Sequence, residues 1–82
     1  MRNYKIKIVS KDKTYDNLQI PANSFFDAAN KACINNLPGY QVIPGGKSYP
    51  ISISNDGILI ETKSFEAINH SLGLGALIWV ML

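Results

Sequence analysis

Gly46-Lys47-Ser48 is the nearest this chain comes to a phosphate-binding loop. Such a loop wraps phosphates with bare backbone amides, so it needs another glycine five positions before its second one, and it leads straight into a helix. Position 41 is Gln41, and Ser52-Ile53 belongs to a strand-like run. The triplet is therefore expected to be a glycine turn between two strands.

Cys33 and His70 are the next pair with chemical potential. A cysteine nucleophile needs a thiolate made by a nearby base in an electropositive setting. Cys33 instead falls in an apolar row, where free cysteines are usually buried. His70 is expected to close a loop. Asn69-His70-Ser71 has the form of a glycosylation acceptor, which matters only in a secreted chain. Asp56 and Glu61 share a predicted hairpin. Acid–base work needs a cleft that perturbs at least one carboxyl, and a turn tip with a solvent-facing strand offers none.

Two sets of side chains point to binding rather than catalysis. Arg2, Lys5, Lys7, Lys11 and Lys13 crowd the first predicted hairpin, against Asp12 and Asp16. Lys5, Lys7, Lys11 and Lys13 form a candidate contact for a nucleic-acid backbone. Lysines on an edge strand also deter aggregation, which accounts for the same residues. Tyr40, Tyr49, Phe65 and Trp79 are candidate anchors for a protein partner, because aromatic side chains dominate binding hot spots.

Composition narrows the classes. The chain has 82 residues, a net charge of +2 and one cysteine. That length suits a single domain over 1–82. The charge is too small to imply a polyanionic partner, which ranks nucleic acid below protein. A lone cysteine excludes an internal disulfide, and Cys33 with His70 are too few soft ligands for a metal site. No cofactor or metal is expected. The N-terminal residues lack the apolar stretch of a signal peptide, so a cytoplasmic location is expected. No membrane partner is expected either, since the apolar run 72–82 is shorter than the ~20 residues a spanning helix needs.

The elements that must position these residues follow from periodicity. Tyr4, Ile6 and Ile8 alternate with Lys5 and Lys7, and Leu18 and Ile20 alternate with Asn17 and Gln19. Period two with one apolar face predicts strands over 4–9 and 14–20, joined as an antiparallel hairpin. Pro21 is expected to stop the second strand. Ser24, three residues before Asp27, predicts a helix start, and Phe26, Ala29, Cys33 and Leu37 form its buried row. The helix is expected over 24–36, with Ala28, Ala29 and Ala32 letting it sit close to a sheet, and Pro38-Gly39 ending it.

Tyr40 to Ile43 predicts a short strand, and 49–54 and 57–63 predict a hairpin about Asn55-Asp56-Gly57. Ile51, Ile53, Ile58 and Ile60 are expected on one face of it. Ser64 opens either a helical turn or a loop over 64–71. Residues 76–82 are apolar on both faces, which predicts a strand inside the sheet or at a subunit contact.

The order β-β-α-β-β-(turn)-β defines an α+β domain, one helix packed on a mainly antiparallel sheet of four to six strands. The predicted core is Ile6, Ile8, Leu18, Ile20, Phe26, Ala29, Cys33, Ile51, Ile53, Ile58 and Ile60. A single short helix covers only one sheet face. Residues 76–82 are therefore expected to pair in a homodimer unless 64–71 fold over their second face. Nothing nominates the several convergent polar groups an enzyme needs. The expected function is a small non-catalytic accessory or inhibitory protein that acts through its surface on a larger protein machine. By association, such chains are often phage- or mobile-element-encoded. The alternative is a nucleic-acid-binding module.

Overall fold

The structure, a computed structural model, describes the backbone of residues 1–53 and 59–82 and the side chains of 1–49 and 60–82. Two strands, β1 (Arg2–Ser10) and β2 (Thr14–Ala22), precede helix α1 (Phe25–Asn36). Four more follow: β3 (Gln41–Val42), β4 (Lys47–Ile53), β5 (Leu59–Asn69) and β6 (Leu74–Met81). They form one sheet of order β2-β1-β6-β5-β3, with β4 pairing β5 as well, and every pairing is antiparallel. This is the α+β architecture the pattern predicts.

The alternation in β1 does what the sequence implies. Tyr4, Ile6 and Ile8 are buried, while Lys5 is exposed and Lys7 half-buried. Ile6 sits opposite Leu18 on β2 and Val80 on β6, and Ile8 sits opposite Ile78. The helix packs on this side of the sheet. Ala28, Ala29, Ala32 and Cys33 are its buried residues, and their small size lets the backbone approach the strands. Ser24 caps the helix by accepting from the Asp27 amide at 3.0 Å, and the Asp27 carboxylate accepts from the Asn23 amide at 3.0 Å. That bond, with Lys31 at 3.3 Å, holds the Asp27 carboxyl below its ordinary pKa.

Several expectations change. Pro21 lies within β2, paired with Asn3, and does not end the strand. β2 is the sheet's edge, where a missing amide leaves no ladder bond unmade. With the bulge at Asn17, whose φ is +57°, it protects that edge from pairing with other chains. Phe26 is not core: it is 39% exposed and meets Phe65 edge-on with ring centroids 5.8 Å apart. Leu18 and Ile20 are half-buried at the core's margin.

Ser64 opens neither a helical turn nor a loop, because β5 runs on to Asn69 before turning. The turn uses Asn69, whose carboxamide oxygen accepts from the Leu72 amide at 3.1 Å, and Gly73, whose φ is +66°. In the β4–β5 hairpin, Ser52 stands opposite Ile60 and Ile53 opposite Leu59. A register shift between Tyr49 and Ser52, flanking Pro50, moves Ile51 and Ile53 out of line with Ile60. The side chains of Ile51, Ile53 and Ile58, and the turn at 55–57, lie outside the described residues. Ile60 itself is half-buried.

Most of the run 76–82 is a strand inside the sheet. β6 is central, bonded to β1 on one side and β5 on the other. Ile78 and Val80 are fully buried toward the helix. Leu77, Trp79 and Met81 point the other way.

The glycine pair before β4 is structural. Gly45 has a φ of +87° and turns the chain between β3 and β4. A Cβ at Gly46 would lie 2.5 Å from the Phe65 ring and 2.6 Å from the Ser64 carbonyl. Gly46→Ala is expected to destabilise the fold by about 1–3 kcal/mol, since neither a packed ring nor a ladder carbonyl yields easily. Urea denaturation measures it, and an unchanged midpoint would show that Phe65 has room to move.

Candidate functional site on the open sheet face

The sheet face turned away from α1 carries the side chains not absorbed by the core. Cross-strand register places them in three rows. Val9, Leu77 and Glu66 make the first. Lys7, Trp79, Ser64 and Lys47 make the second. Lys5, Met81, Thr62 and Tyr49 make the third. Trp79 thus stands in a row with a lysine at each end.

The centre of this face is aromatic. Trp79 and Tyr49 pair with ring centroids 4.9 Å apart, their planes tilted by 39°. They come from strands separated by β5, which is small between them: Ser64 lies opposite Trp79, and Thr62 opposite Tyr49. Small residues there let the two rings meet above the strand. The Ser64 hydroxyl bonds the Tyr49 hydroxyl at 3.2 Å, which satisfies a serine only 4% exposed.

Two depressions flank the pair and share Glu66 and Leu77. The larger, about 650 Å³, runs toward the β5–β6 turn along Val9, Ile68, Gly75 and Leu77. The smaller, about 300 Å³, lies against the β3–β4 turn at Ile43, Pro44 and Lys47. Gly75 faces Ile68 across the strands and leaves the first trough unfilled. Among the described residues, no element packs over this face. Val9 is 39% and Tyr49 37% exposed, and Leu77, Trp79 and Met81 are half-buried.

The sequence-predicted residues divide cleanly. Of the aromatic candidates, Tyr49 and Trp79 come together on the open face. Phe65 is buried at 4% exposure on the helix side and is not available as a surface anchor. Tyr40 is half-buried against the core. Its carbonyl accepts from the Cys33 thiol at 3.4 Å. Of the lysines, Lys5 and Lys7 join the aromatic pair, whereas Lys11 and Lys13 sit at the β1–β2 turn. Lys47 belongs to the site and was hidden in the sequence by its resemblance to a phosphate loop. The signal for it was alternation through Lys47 and Tyr49, which puts both on one strand face.

The candidates for chemistry do not converge. Cys33 is buried, and its desolvated thiol is pushed above its ordinary pKa, the opposite of what a nucleophile requires. His70 is exposed in the turn after β5, and Glu61 is exposed on β5. Asp56 lies outside the described residues. Among the described residues, no group of three or more His, Cys, Asp or Glu side chains could hold a metal ion, and no helix is long and apolar enough to cross a membrane. Comparison with protein-family models, with curated proteins and with solved structures gives no match, so the functional reading rests on the chemistry of this face.

Proposed function

We propose that this chain is a non-catalytic protein-binding module, an accessory or inhibitory partner of a larger protein, which docks through the open face of its sheet. The observation that supports this is the Trp79–Tyr49 pair. Two large aromatics lie at the middle of a patch of Leu77, Met81, Val9 and Ile68, with Glu66 opposite Leu77 and lysines at its margin. Binding hot spots have this anatomy: aromatic anchors near the centre, ringed by contacts that exclude water. The core gains nothing from Trp79 facing outward. Ile78 and Val80 already fill the helix side.

Site-specific crosslinking tests the reading. A photoreactive benzoylphenylalanine at Val9, on the open face, is expected to capture one defined protein in cells of the source organism. The same group at Asn30, exposed on α1, is expected to capture none. Equal capture from both positions, or none from Val9, would overturn the assignment of this face.

The nucleic-acid alternative draws support from one feature, the placement of Lys5 and Lys7 beside Trp79 on the same face. Lys11 and Lys13 do not join them, which breaks the four-lysine stripe that reading requires.

A further inference from the structure

We infer that the occupant of the open face is an acidic-rimmed apolar segment of another protein, with an apolar centre seated on Leu77, Trp79 and Met81 and carboxylates reaching Lys5, Lys7 and Lys47. This rests on the protein-binding reading above and names the partner's chemistry.

Charge placement carries the inference. Lys7 and Lys47 stand in the same cross-strand row as Trp79, one on each side, and Lys5 stands opposite Met81 in the next row. The acid within these rows is Glu66, opposite Leu77 and toward the β5–β6 turn. Asp16 stands at the bulge of edge strand β2, across from Lys7. Three lysines thus flank the aromatic centre, against Glu66 in the depression that Lys47 and Tyr49 also line and Asp16 at the edge, which leaves its surround net positive. A complementary partner places apolar groups over the rings and carboxylates at their flanks. Docking a second copy would instead set one lysine-bracketed centre against another, and the whole chain carries +2.

Single-stranded nucleic acid fits less well. Stacking bases need freely presented ring faces, and the Trp79 and Tyr49 rings already pack against each other, 4.9 Å between centroids. The aliphatic surface of Val9, Leu77, Met81 and Ile68 has no role in backbone tracking. Arg2, the chain's arginine, pairs with Ala22 and belongs to the helix side.

The chain contains one tryptophan, so Trp79 emission reports occupancy of this face directly. Three probes would be titrated into the full chain. The first is a soluble amphipathic peptide with a leucine and phenylalanine face rimmed by glutamates. The second is its counterpart with every glutamate replaced by lysine, and the third is oligothymidylate. The acidic peptide is expected to shift Trp79 emission, with affinity falling as salt rises. Lys5→Gln and Lys7→Gln are expected to weaken it by up to about fivefold each. The double variant Lys5→Glu/Lys7→Glu, checked for an unchanged circular dichroism spectrum, is expected to prefer the basic peptide.

If the basic peptide or the oligonucleotide binds the native chain as well as the acidic peptide does, the acidic-partner inference falls and the docking face stands. An emission change with protein concentration alone, with dimers seen by light scattering, makes a second copy the occupant and also overturns it. No shift from any probe overturns the inference, and the crosslinking result at Val9 then decides the broader reading by itself.

Discussion

Ile78→Ala is expected to cost about 2–5 kcal/mol of folding stability. Ile78 is fully buried in the central strand, opposite Ile8 on β1 and Phe65 on β5. Truncation removes methyl groups where three strands and α1 converge, and the ladders on both sides of β6 keep the backbone from closing the gap. A domain this small draws only about 3–5 kcal/mol from its core. The variant should therefore be largely unfolded at room temperature, seen as loss of the cooperative transition in urea. Ile78→Val, expected to cost about 0.5–1.5 kcal/mol, keeps a measurable transition if the alanine variant does not fold. A midpoint unchanged in both would mean that β6 is not the centre of the core.

The sequence pattern was most informative where one period dominated. β1 alternates strictly, with three apolar residues inward and two lysines outward, and the sheet preserves that alternation. The helix was equally legible, because Ser24 and Asp27 bond as a cap and the small residues fall on the buried side. Phe26 falls in the apolar row by its spacing with Ala29 and Cys33, yet spacing alone does not set depth. It sits at the margin of the buried row, where an aromatic ring reaches Phe65 while staying partly in water.

Residues 64–69 misled for a different reason. Ser64, Ala67 and Asn69 are buried in a strand, and none is a strong strand former. Their conformation is set by pairing with β6, which is nonlocal information. The site was half legible. Tyr49 and Trp79 could be named as anchors, but their meeting depends on register: β4 against β5, and β5 against β6. Closeness in sequence groups Lys5 and Lys7 with Lys11 and Lys13. The sheet regroups them with Lys47, forty residues away from Lys7 along the chain.

The neighbour of Ile78 provides the sharpest functional test. A tryptophan buried in the core would be expected to cost about 3–5 kcal/mol on truncation. Trp79 is half-buried on the open face, so Trp79→Ala is expected to lose only about 1–2 kcal/mol, mainly its pairing with Tyr49 and partial burial. Its larger effect falls on the partner. Removing a central aromatic anchor is expected to weaken binding by at least about 2 kcal/mol, roughly thirtyfold in Kd. Tyr49→Ala is expected to act in the same direction, because it frees the Trp79 ring and breaks the bond to Ser64. Denaturation midpoints give the stability change, and calorimetry with the captured partner gives the affinity. Two adjacent residues then separate the two faces: Ile78 governs folding and Trp79 governs association. If Trp79→Ala unfolds the chain as severely as Ile78→Ala, or binds its partner undiminished, the open face is not the docking surface.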